Sequence, residues 1–257
     1  MSATKAEVSS AAAGAERILD MKPLLIGVGA LMLFVGILRL YEQIFAWSDG
    51  LDSFSPEYQL YWMSLLQFAI LASCLGAVGV VGFMWRTRDR DLVNLSASAE
   101  TRRLIYLVEW LVVFSLALYW GLSFFSEQTA VWHMTAVRDT DFTPSNIITF
   151  YIAYPLFAVI GLGAFFYAKT RLPTFARGYS LAFVVLVVGV FMTIPNLGFN
   201  EWGHTFWSMD EGFAGPLHWG FVFFGWMSLA TFGVVLLILG RLRELLGADA
   251  LDQLYKR

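Results

Sequence analysis

The sequence predicts an all-α protein, a bundle of about six membrane-spanning helices with both termini on the cytoplasmic side. Three observations carry this expectation. Only 14% of the 257 residues are charged, 58% are hydrophobic and the mean hydropathy is +0.64, whereas a soluble domain carries roughly 25% charge. The apolar residues gather into runs long enough to cross about 30 Å of hydrocarbon as helix, where every backbone group must be paired within the segment. Fifteen of the seventeen Lys and Arg residues fall in the termini and alternate connections, the bias that marks a cytoplasmic face.

Residues 1–22 are rich in Ala and Ser, carry Lys5, Glu7, Glu16, Arg17 and Asp20, and read as a cytoplasmic leader. A cleaved signal peptide is the alternative, but the apolar run from Leu24 outlasts a signal sequence and ends without a small-residue cleavage pattern. Pro23 suits a first helical turn, where its missing N–H costs nothing. Spans are expected at about 24–46, 60–85, 104–125, 147–168, 179–199 and 214–240, within one membrane domain of residues 23–243 followed by a cytoplasmic tail of 244–257. The connections at about 47–59, 126–146 and 200–213 hold nine acidic residues against Arg138 alone, and are expected outside.

Within the spans, Arg39 and Glu42 stand three residues apart, the spacing of helical neighbours that lower each other's burial cost. Glu109 lies near enough to the arginine-rich side to hydrate or pair there. Pro155 and Pro195 interrupt spans four and five and predict kinks. Gly76, Gly79 and Gly82 in span two, and Gly161 and Gly163 in span four, permit close helix contacts. Trp47, Trp62, Trp85, Trp110, Trp120, Trp132, Trp202 and Trp207 fall mainly near span ends, as interfacial aromatic belts do. The single cysteine, Cys74, excludes an intrachain disulfide and a thiolate cluster, and a net charge of −3 gives no footing for a nucleic-acid partner.

The chemistry-bearing residues gather at the acidic end. Two of three histidines lie in one window: Asn200 precedes His204 by one helical turn, and a loop ending at Gly215-Pro216 can return His218 toward them. An amide with two imidazoles suits copper, iron, nickel or zinc. Hydrogen-bonded histidines at a membrane interface are the plainer reading of the same spacing.

Four runs resemble a known family: Val137-Arg138-Asp139-Thr140-Asp141-Phe142-Thr143-Pro144-Ser145, Tyr167-Ala168-Lys169-Thr170-Arg171-Leu172-Pro173, Asn200-Glu201-Trp202-Gly203-His204-Thr205-Phe206-Trp207 and Pro216-Leu217-His218-Trp219-Gly220-Phe221. They are similar to the C subunit of the copper-dependent membrane monooxygenases, which include the particulate methane monooxygenase, the ammonia monooxygenase and the short-chain hydrocarbon enzymes. The similarity extends over about residues 20–245 and points to the methane enzyme more than to the ammonia enzyme. It implies one further membrane subunit and one largely extracytoplasmic copper-binding subunit, three copies of each, in an inner or intracytoplasmic bacterial membrane. It also implies methane and O₂ as substrates, a quinol or similar reductant, surrounding lipid, and copper at the outer face, with zinc as an adventitious occupant.

The resemblance further implies two neighbouring metal places. Asn200, His204 and His218 keep the first intact. At the second, His133 is kept, but Thr129 stands where the pattern has Asp and Asn146 where it has His. A neutral hydroxyl and an amide are poor copper donors, so this second place is expected to bind metal weakly or not at all. Two other classes of function stand beside the oxidase: a scaffold whose partner chain holds the catalyst, and a transporter, which the absence of a broken-helix pair or an internal repeat disfavours.

Overall fold

The structure is a computed structural model and describes residues 20–136, 143–189 and 216–247. All regular structure among them is helical. Helix α1 spans Lys22–Asp49 and α2 spans Pro56–Arg86. Helix α3 occupies residues 97–136 and α4 Pro144–Arg171. The short α5 is Pro173–Ala176, α6 is Leu181–Val188 and α7 is Pro216–Leu246. Five helices are long and apolar enough to cross a membrane: α1, α2, α3 over Ala97–Thr129, α4, and α7 over Gly225–Leu246. The expected span at 179–199 is helical from Leu181 to Val188, and its remainder, with Pro195 and the connection at 200–213, lies outside the described residues.

The helix starts follow local chemistry. Ser55, Ser96, Thr143 and Ser180 each accept a backbone N–H from the residue three positions on, satisfying one of the donors a helix leaves open. Pro23, Pro56, Pro144 and Pro173 occupy first turns.

The connection expected at 126–146 is mostly helix. α3 runs on to Ala136 and α4 starts at Pro144, so the more polar stretch beyond the apolar run continues the helix, and Thr143-Pro144 starts the next. Likewise α1 reaches Asp49, which shortens the connection expected at 47–59.

α4 is central, packed against α2 and α3, while α1 and α7 pack on α3 and α6 packs on α7. Without a hydrophobic drive between helices in lipid, close approach and dispersion hold such contacts. A Cβ at Gly161 would lie 3.0 Å from the Phe114 ring, and one at Gly121 3.0 Å from the Phe157 ring, so these crossings accept only glycine without rearrangement. Among the described residues, a Cβ at Gly79 or Gly82 would meet nothing within 4 Å, so the close helix contact expected there is not seen. The faces α1 and α2 leave bare are apolar, with Ile26, Leu33, Phe68 and Val78 exposed.

The two ends of the bundle differ in kind. At the basic end, Arg103 donates to Asp89 at 2.9 Å and to the Arg171 carbonyl at 2.7 Å, while the Asp89 N–H donates to the Thr170 carbonyl. At the acidic end, α2, α3 and α4 each contain a π-helical turn, at Gln59–Met63, Trp120–Phe125 and Thr149–Ala153. Pro155 accounts for the last: it has no N–H for the Tyr151 carbonyl, and the Tyr154 N–H reaches back to Thr149 instead. The kink expected at Pro155 takes this form.

Arg39 and Glu42 pair as the spacing predicts, Nη1 to Oε2 at 2.6 Å, with Glu42 buried. Glu109 departs from expectation. It is only 6% exposed, and its Oε2 has no hydrogen-bond partner among the described residues. One turn on, Val113 packs at Gly27 of α1, so this face of α3 turns toward the start of α1. Trp62 and Trp132 are buried core residues and not belt residues; the Trp62 indole donates to the Phe45 carbonyl at 3.4 Å.

Candidate metal centre

At the acidic end the last turns of α3 meet the first turn of α4. Thr143 caps α4, its Oγ1 accepting the Asn146 N–H at 3.4 Å, and this fixes Asn146 in the first turn. α1 presses on the same point: a Cβ at Gly50 would stand 2.5 Å from the Pro144 ring. Trp47 of α1 lies against Trp132 of α3, ring centroids 4.6 Å apart. The indole N–H of Trp132 is buried with no hydrogen-bond partner among the described residues.

Thr129 is fully buried between these elements. Its Oγ1 is hydrogen-bonded to Thr149 Oγ1 at 2.7 Å and lies 3.2 Å from the Ser145 carbonyl. Thr149 Oγ1 in turn donates to the Phe125 carbonyl at 3.0 Å, on the π turn of α3. One turn earlier, Ser126 Oγ donates to the Gly121 carbonyl at 3.0 Å and lies 3.0 Å from the Tyr154 hydroxyl. These hydroxyls satisfy carbonyls near the π turns, which a buried helix could not leave unpaired.

The fold therefore brings position 129 against the first turn of α4, which holds the fully buried Asn146, and the helix carries His133 one turn beyond Thr129. The arrangement does not suit a metal through Thr129. Its oxygen is committed to a neighbouring hydroxyl and a carbonyl, and a neutral alcohol so held is no carboxylate. Of the nearby carboxylates, Glu127 is exposed and Asp139 lies outside the described residues. Among the described residues no group of three or more His, Cys, Asp and Glu side chains stands together.

Of the intact set, Asn200 and His204 lie outside the described residues, and His218 is the third residue of α7. The donor chemistry of that set, one amide and two imidazoles, fits copper.

Residues that the sequence did not single out complete the acidic end: Gly50, Ser126, Thr149 and Tyr154. Thr143 followed by Pro144 was the one local signal, a cap and a first-turn proline marking where α4 begins. The pairing of Thr129 with Thr149 spans 20 residues, and only the packing of α3 on α4 creates it.

The family described as the C subunit of ammonia monooxygenase/methane monooxygenase matches residues 5–249. Among curated proteins, none matches the chain.

Proposed function

The chain belongs to the family of the ammonia and methane monooxygenase C subunits, and from that membership we propose that it is the integral membrane C subunit of a copper-dependent monooxygenase hydroxylating methane to methanol with O₂. One oxygen atom enters a C–H bond and the other leaves as water, with electrons and protons drawn from a quinol-type reductant. The observation that carries this reading is the family match over nearly the whole chain, joined to five apolar helices of spanning length.

Asn200, His204 and His218 would hold the copper, which supplies O₂ activation when bound. The chain's own residues do the rest. Pro216 starts α7, which puts position 218 in its first turn. The buried hydroxyls of Thr129, Thr149 and Ser126 tie α3 to α4 beside that end and meet the Phe125 and Gly121 carbonyls. The place around His133 contributes no second full ligand set, because Thr129 is committed elsewhere.

The basic residues orient the chain with both termini cytoplasmic and the metal face outside, in an inner or intracytoplasmic bacterial membrane. The bare apolar faces of α1 and α2 take lipid, the second membrane subunit and neighbouring copies, and the extracytoplasmic copper-binding subunit meets the acidic end. Three copies of each subunit form the assembly.

Ammonia or a short-chain hydrocarbon is the alternative substrate. A scaffold role, with catalysis in a partner chain, is the second reading, and the closed hydroxyl network at Thr129 is the observation in its favour. The deciding experiment measures O₂-dependent product formation from methane and from ammonia by the lipid-embedded complex, unmodified and with His204→Ala. Methanol formation lost in the variant supports the oxidase; ammonia oxidation alone assigns the other substrate, and unchanged turnover in the variant assigns the scaffold.

A further inference from the structure

At the basic end, a cavity of about 320 Å³ opens where three elements meet, the lower end of the roughly 300–1,000 Å³ range that holds small ligand groups. Leu92, Val93, Leu95 and Glu100 come from the connection between α2 and α3 and the start of α3, Pro173, Thr174 and Arg177 from α5 and its end, and Arg241 from α7. We propose that this cavity binds the phosphate of an anionic phospholipid headgroup.

The charge around the cavity argues for an anion. Arg241 is neutralised: Nε and Nη2 engage both oxygens of buried Glu100 at 2.9 and 3.0 Å, and Nη1 reaches Glu244 at 2.9 Å. Arg177 is exposed and its guanidinium meets no carboxylate among the described residues. Lys169 stands beside it. Its Nζ donates to the Ala176 and Gly178 carbonyls at 3.2 and 2.8 Å, on either side of Arg177, and again no described carboxylate answers the charge. The turn carrying Arg177 is thereby fixed, with two cations in excess.

The apolar rim argues for a lipid as the source of that anion. Leu92, Val93 and Leu95 line one side of the cavity, and Val93 is 77% exposed. Tyr179, under the Lys169 ammonium at 4.2 Å, and Leu181, at the start of α6, are 77% and 78% exposed. Exposed aliphatic and aromatic groups beside cations, where spanning helices begin, are what a headgroup with its glycerol and acyl chains contacts. A soluble anion gains nothing from them.

The test uses the full complex, exchanged into phosphatidylcholine bilayers with and without phosphatidylglycerol, then washed with detergent, with retained lipid counted per protomer by mass spectrometry. Phosphatidylglycerol should be retained over phosphatidylcholine. Arg177→Gln should lower its retention about five-fold, the factor for one basic residue near a headgroup. Arg177→Lys should keep most of it, and Arg86→Gln, on the same face but outside the cavity, should leave it unchanged. Equal retention of both lipids, equal loss in the Arg177→Gln and Arg86→Gln variants, displacement by inorganic phosphate alone, or a cavity covered by a partner chain with no lipid retained would each overturn the proposal.

Discussion

Glu100 and Arg241, 141 residues apart, are joined by two charge-assisted hydrogen bonds of 2.9 and 3.0 Å that clasp the start of α3 to the end of α7. The Glu100 side chain is 3% exposed and that of Arg241 32%, so the two ends of the pair are not equivalent. Removing the arginine leaves a buried carboxylate with, among the described residues, only the Thr174 hydroxyl, at 3.2 Å, to meet it. Removing the carboxylate leaves a guanidinium that can turn to water and Glu244. Arg241→Gln is expected to cost about 2–3 kcal/mol and Glu100→Gln about half that, read as thermal midpoints of the lipid-embedded protein. A larger loss in Glu100→Gln would contradict this.

Asp89 gives a pH dependence at the same end. The Arg103 guanidinium bonded to it, with backbone N–H donation from Asp91, holds its carboxyl below the ordinary carboxylate value. A depressed value means that the folded state binds the proton less readily than the unfolded chain. The contribution is therefore full above the ordinary carboxylate pKa and fades as pH falls through the depressed one. Asp89 is partly exposed, so the effect is small. The difference in midpoint between the unmodified protein and Asp89→Asn should shrink on acidification, and a difference constant with pH would count against the assignment.

Gly50 predicts a steric limit under the acidic end. A Cβ there would meet the Ala46 carbonyl and the Pro144 ring, whereas one at Gly36 in the same helix region meets nothing within 4 Å. Gly50→Ala should cost about 1–3 kcal/mol and Gly36→Ala nothing measurable. Equal midpoints for the two variants would show that α1 does not press on α4 as described.

The hydroxyl network predicts how the second metal place behaves when rebuilt. Thr129→Asp alone puts a carboxylate into a fully buried site beside Thr149 and the Ser145 carbonyl, at a cost of about 3 kcal/mol or more. Together with Asn146→His it supplies one carboxylate and two imidazoles, counting His133, and should add about one copper per protomer while recovering stability in its presence. Copper that leaves both the metal content and the midpoint of the double variant unchanged would refute this.

The sequence made the architecture legible because its spans are apolar runs with basic flanks, and the Arg39–Glu42 pair because three residues is a helical spacing. It did not show that α3 runs on to Ala136. That stretch has no apolar face to mark it, and Thr143-Pro144 alone records where the next helix starts. Glu109 was misread since proximity in sequence to arginines says nothing about which way its face of α3 turns. At the candidate centre, Thr129 and Asn146 were legible as changed positions, but the use made of Thr129, a bond to Thr149, depends on two helices meeting and has no local signature.

Copper content tests the central claim most directly: that this chain holds one copper through Asn200, His204 and His218 and none at the place closed by Thr129. The lipid-embedded complex, stripped with chelator and reloaded, is compared with its His204→Ala and His133→Ala forms by metal analysis and copper electron paramagnetic resonance. His204→Ala should lose about one copper per protomer and its nitrogen-coupled signal, while His133→Ala should keep both. Unchanged copper in His204→Ala, or loss of a full copper in His133→Ala, would contradict the account.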